Sequence, residues 1–200
     1  MCYASLMVYV EADATPERRV RLAANLADRF GARLLGLSAL AIPSPAVANW
    51  MVISAADEVD IKLMEATLAD KGKWFLRTSG NGPRKPEWRA ALDFPVEALA
   101  REARGADLIV IGQTQGSGGR YRSLDAGSAI LKVGRPTLVV PEDASFSLRA
   151  EHVVIGWKDT REARRAVRDA LPFLQQATRV TIVEGVGPVK KKQHWAGSTT

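Results

Sequence analysis

The residues best suited to chemistry in this chain fall in two short segments. One is Glu11-Ala12-Asp13, a pair of carboxylates directly after an apolar run. The other is residues 112–128, GQTQGSGGRYRSLDAGS, where five glycines precede a serine at an expected helix start. Glycines let backbone N–H groups approach phosphate oxygens closely, and a helix N-terminus favours negative charge. The competing explanation is geometric, since strand-to-helix connections are often Gly-rich for turn geometry alone. Other chemistries have thinner support. His152 opens a strand and His194 sits near the end of the chain, so no His–His or His–Cys ligand pair arises. Neither a Gly-x-Ser-x-Gly elbow nor a Gly-x4-Gly-Lys-Ser/Thr loop occurs. Cys2 has no neighbour that would activate it as a nucleophile, and the five Trp are too scattered to form a stacking platform.

The elements before both segments read as strands of one parallel sheet. Residues 3–10 (YASLMVYV) read as the first strand, and Thr15-Pro16-Glu17 as a helix start with Thr15 as N-cap. Val20, Ala23, Ala24, Ala27 and Phe30 then recur at helical spacing up to Gly31, and residues 33–40 (RLLGLSAL) form a second strand. A strand–helix–strand unit implies parallel strands with a right-handed crossover. Further on, a long helix is expected over 55–77, a strand over 88–92 and a helix over 95–104. The most strand-like run is DLIVIG at 107–112, followed by a helix over 125–133 and a strand over 137–140. Residues 1–141 thus make an α/β domain, an open five-stranded parallel sheet with helices on both faces. Ligands of such sheets bind beyond the carboxyl ends of the strands, where strand order reverses. That is where the acids and the glycine run fall.

After a polar connector at 142–150 the chain starts again. HVVIGW at 152–157, a helical stripe over 163–174 and RVTIVE at 179–184 repeat the opening strand–helix–strand order. A gap-free slide of 146 positions superposes Val8 on Val154, Asp13 on Asp159, Arg18 and Arg19 on Arg164 and Arg165, and Arg33 on Arg179. Residues 151–184 read as a partial second copy, and 185–200 as a mobile tail.

The element order, the DLIVIG strand, the loop ending in Gly127-Ser128 and the TLVVP closing strand resemble the universal stress protein family. IGWKDTREARRAV resembles the start of a second such domain in tandem members. The resemblance implies a Rossmann-like sheet of order 3-2-1-4-5 and a stress-response binding or regulatory module. It also implies an ATP site, with Mg²⁺ accompanying the nucleotide. Family members hold phosphates with Gly-x2-Gly-x9-Gly-Ser/Thr, and an acid after the first strand contacts the nucleoside. The matching positions here are Gly112, Gly116, Gly127 and Ser128, with Glu11 or Asp13 as the acid. Each gap between the glycines is one residue longer than the family's, so the site is expected to be degenerate. Single-domain members pair through the last strand, which implies a homodimer. Two alternatives stay open: a ligand-free homodimeric interaction protein, and an adenine-nucleotide hydrolase.

Composition narrows the classes. The chain is 46% hydrophobic and 25% charged with a single cysteine, which excludes disulfide scaffolds and cysteine-built zinc sites. No apolar run approaches the length of a membrane span, and no charged segment precedes the first apolar stretch, so a cytoplasmic protein is expected. The net charge of +6 suggests nucleic acid at first sight. Half of it belongs to Lys190, Lys191 and Lys192, and the helical arginines in PERRVRLAANLADRF and REARRAVRDAL read as solvated outer faces. No basic stripe alternates with aromatics, so specific nucleic-acid binding is not expected.

Overall fold

The apolar runs become strands. In the computed structural model, β1 (Ser5–Tyr9), β2 (Arg33–Ala39), β3 (Glu87–Ala91), β4 (Leu108–Gly112) and β5 (Thr137–Val140) form one sheet. Its order is β3-β2-β1-β4-β5, with every neighbouring pair parallel. This is the expected 3-2-1-4-5 α/β arrangement. The structure describes residues 2–42, 55–80, 82–113, 119–141 and 151–185. Gly116, the connector at 142–150, nearly all of the apolar stretch 42–54 and nearly all of the tail 185–200 lie outside them.

Helices cover both faces because side chains alternate along each strand. Met7, Tyr9, Leu35, Leu37, Ile109 and Ile111 form one inner layer with residues of α3 (Pro95–Glu102) and α5 (Ala126–Val133). The opposite face, with Leu6, Val8 and Val110, meets α1 (Glu17–Phe30) and α2 (Ala55–Thr78). Helix α1 buries Val20, Ala23, Leu26, Ala27 and Phe30. It stops at Gly31, whose φ of 63° is a left-handed cap that glycine adopts at little cost. Its start differs from expectation. Pro16, not Thr15, is the N-cap, and no side chain caps the first turn. The Thr15 carbonyl instead accepts from the Glu17 N–H at 2.7 Å.

The glycine run is not all loop. A short helix, α4 (Gly119–Arg122), forms inside it, and Leu124 is buried in the core. The chain divides into two compact units, Met1–Leu148 and Arg149–Thr200. The second holds β6 (His152–Trp157), α6 (Arg161–Asp169), α7 (Leu171–Leu174) and β7 (Arg179–Glu184), with β6 and β7 parallel. The single helical stripe expected there is broken at Ala170, where Pro172 follows within the next turn. In strand register Ser5 pairs with Arg33 and His152 with Arg179, an offset of 147 between β1 and β6 and of 146 between β2 and β7.

Candidate functional site

Strand order reverses between β1 and β4, and the chain leaving β1 reaches Glu11 two residues later. Arg19, in the first turns of α1, donates to Glu11 through both terminal nitrogens. The Nη1–Oε1 bond is 3.0 Å long and the Nη2–Oε2 contact is shorter. This fork-to-fork pair is largely buried. The Arg19 guanidinium lies against Gly112 at the end of β4, and a Cβ on Gly112 would collide with it. Arg19 is thus a correction to the sequence reading: it is 5% exposed, not part of a solvated outer face. Its spacing from Ala23, Leu26 and Phe30 was the available signal, since 4, 7 and 11 residues place all of them on one helical face.

Asp13 has a different partner. Arg122 of α4 donates to both of its oxygens, from Nε and Nη2, each at 2.8 Å. These hydrogen bonds hold the Asp13 carboxyl below the usual carboxylate range. They also bring the first-strand acid to the glycine segment across 109 positions of sequence. Helix α4 has two further attachments. The Ala41 N–H donates to the Tyr121 carbonyl at 2.9 Å, and the Tyr121 ring lies 5.3 Å from that of Phe94. Lys71 of α2 donates to the Ala14 carbonyl at 2.7 Å and sits over the Trp74 ring. Burial pushes the Lys71 ammonium down, against the pull of Asp13 and Glu11.

The remaining expected positions lie at the start of α5. Asp125 is its N-cap and accepts from the Ser128 N–H at 2.8 Å. Hydrogen bonds from Ser128, first from its side chain, hold the Asp125 carboxyl low. Gly127 is exposed, and among the described residues a Cβ there would meet only the Asp125 Oδ2, at 3.7 Å. Of the expected site residues, Glu11, Asp13, Gly112, Gly127 and Ser128 therefore lie at the carboxyl end of the sheet. The two acids and the capped helix start already have in-chain partners. Among the described residues no group of three or more His, Cys, Asp or Glu could hold a metal ion. No helix there is long and apolar enough to cross a membrane.

No family model matches the sequence, and no curated protein matches it. Solved structures do. A universal stress protein from Archaeoglobus fulgidus is 14% identical with a TM-score of 0.60, over 94% of this chain and 68% of that one. The hypothetical protein MJ0577 is 18% identical with a TM-score of 0.56, over 72% of this chain and all of its own. The universal stress protein UspA of Lactobacillus plantarum is 18% identical with a TM-score of 0.50, over 70% and 99%. The chain has the universal stress protein fold. In it, the β1–β4 switch point of the fold holds an Arg19–Glu11 pair, and the helix start beyond it is closed by Asp125.

Proposed function

We propose that this chain is a universal stress protein, a regulatory binding module whose switch-point crevice takes an adenine nucleotide, ATP with its Mg²⁺, in a degenerate site. Gly127 carries this reading. Among the described residues no contact requires a glycine there, and in a helix glycine costs up to about 1 kcal/mol relative to alanine. A bare backbone at a helix start suits close approach of a phosphate. Asp13, held by Arg122, is the acid assigned to the nucleoside in this reading. The degeneracy follows from charge. An incoming phosphate must compete with the Asp125 carboxylate for the Ser128 N–H, and Glu11 is already neutralised by Arg19. Affinity is then weak, with a dissociation constant on the order of 1 mM.

The second reading is a ligand-free homodimeric interaction protein, favoured by the in-chain pairing of both crevice acids. A homodimer, a cytoplasmic location and an incomplete tandem second copy at 151–184 accompany either reading. Calorimetric titration of the full chain with Mg²⁺ and ATP separates the two. Saturable binding that Gly127→Val abolishes and Asp125→Ala tightens by about three- to tenfold supports the nucleotide site. Silence from both wild type and Asp125→Ala at millimolar ATP leaves the interaction protein. Phosphate release above a blank would point to a hydrolase.

A further inference from the structure

In the second unit one strand edge has no neighbour among the described strands. Strand β7 pairs with β6 on one side, and all six of its residues are exposed. The Arg179 and Gly185 N–H groups donate to the Glu151 and Trp157 carbonyls on the β6 side. Bonding direction alternates along a strand, so Arg179, Thr181 and Val183 bond toward β6. Val180, Ile182 and Glu184 therefore turn their N–H and C=O groups outward.

The side chains on this edge do not defend it. Edge strands of soluble proteins are commonly blunted by a Lys, a Pro or an inward charge. Residues 180–183, Val-Thr-Ile-Val, contain none of these. Among the described residues of this unit the exposed large apolar side chains are Val154, Val180, Ile182 and Val183, three of them on β7. Charge sits only at the strand's two ends, Arg179 and Glu184. Neither has an ion pair among the described residues, whereas Arg161, Arg164 and Arg165 of α6 each do. A parallel neighbour of the same sequence would set arginine beside arginine and glutamate beside glutamate. An antiparallel one brings each arginine to the end that carries the other strand's glutamate.

We infer that β7 pairs antiparallel with β7 of a second copy of this chain, about a twofold axis at Thr181. In that register Val180 faces the partner's Ile182 on one side of the sheet, and Thr181 faces the partner's Thr181 on the other. The outward amides and carbonyls of the two strands then bond reciprocally. An axis at Ile182 would instead set Val180 against the partner's Glu184, an apolar residue against a carboxylate. The contact is isologous, and it turns two strands into four, enough for a sheet with an apolar face to stand. It rests on the homodimer named with both functional readings and takes no part in nucleotide binding.

The test uses the full chain carrying Cys2→Ser, so that each further variant has a single thiol. At the axis the two copies of residue 181 form a non-hydrogen-bonded pair with Cα atoms about 4.5 Å apart, within disulfide reach. Positions 182 and 183 lie two and four residues out of register with their own copies, beyond the limit of about 7 Å. Under mild oxidation Thr181→Cys should run mostly as a disulfide-linked dimer. Ile182→Cys and Val183→Cys should give about a tenth of that yield or less. All three positions are exposed, and Thr181 gives up one surface hydrogen bond, with His152 Nε2 at 2.8 Å, so unchanged circular dichroism is expected. Val180→Lys, which puts a charge opposite the partner's Ile182, should return the chain to monomer in sedimentation. A chain that sediments as a monomer at micromolar concentration overturns the pairing and the homodimer together. A dimer in which Thr181→Cys links no better than the other two, or one that survives Val180→Lys, overturns the pairing alone and leaves the homodimer with another interface.

Discussion

Two glycines in the same sequence motif have different physical reasons to be glycine. Gly112 is required by the fold, because its Cα faces the buried Arg19 guanidinium. Gly112→Ala is expected to lower stability by about 1–3 kcal/mol, since overpacking here also disturbs a buried ion pair. Gly127→Ala should leave stability unchanged or slightly raised, as none of the described residues crowds that position. Urea denaturation of both variants checks the contrast, and equal losses would refute it. The acids differ as well. Glu11→Ala strands the Arg19 charge in a buried place and should cost about 3 kcal/mol or more, whereas Arg19→Met, which removes the charge and keeps the volume, should cost much less. For Asp13 the effect is one of pH. Arg122 holds its folded pKa below the unfolded value, so the folded state binds fewer protons near pH 4. That stability is whole above the ordinary carboxylate range and is lost as pH falls through the folded value. Asp13 is largely exposed, so the step is small. Asp13→Asn should flatten the decline of the urea midpoint between about pH 5 and 3. A decline as steep as wild type would show that the pair does not act.

At the scale of elements, α4 is the piece on which the crevice depends. Four residues cannot hold themselves in a helix, so its position comes from Arg122 on Asp13, from Tyr121 on Ala41 and Phe94, and from buried Leu124. Arg122→Ala should therefore loosen α4 without unfolding the sheet. Hydrogen exchange of the Ala41 amide, bonded to the Tyr121 carbonyl, should quicken by about tenfold, while the β1 and β4 amides keep their protection. Unchanged exchange at Ala41 would mean that the other attachments suffice. These same contacts explain what could be read from sequence. The strands at 137–140, 152–157 and 179–184 were legible to the residue, because continuous β-branched runs bounded by Gly, Pro or charge have few other conformations. Helix α4 was not legible, since residues around it carry five glycines and its reasons for being helical lie 27 to 109 positions away. Arg19 was hidden for a related reason. An arginine among acids looks solvated until its partner is found beyond a strand end. Only tertiary contacts reveal that the charges of Glu11, Asp13 and Asp125 are already matched.

For the molecule as a whole, the open question of physics is how the second unit is covered. Parallel sheets are normally buried on both faces, and two strands with one short helical layer bury too little to stand alone. In this unit Val153, Ile155 and Trp157 of β6 are half-buried, while β7 is exposed along its whole length. Ile182 is 65% exposed and Val183 is 55% exposed, and the two point to opposite faces. Both sides of β7 therefore present β-branched apolar surface, an aggregation liability unless something covers it. If the proposed homodimer provides that cover, the full chain sediments at the mass of two copies at micromolar concentration. Ile182→Glu then tests whether β7 takes part. The position is too exposed for the change to damage the core, so a shift to monomer with an unchanged circular dichroism spectrum reports lost association. A stable dimer in that variant would move the interface elsewhere, with the open edge of β5 as the next place to probe, since β5 pairs only with β4 among the described strands. Wild-type monomer at that concentration would remove the homodimer from both functional readings and leave β7 exposed, and rapid proteolysis between residues 179 and 184 would then be expected.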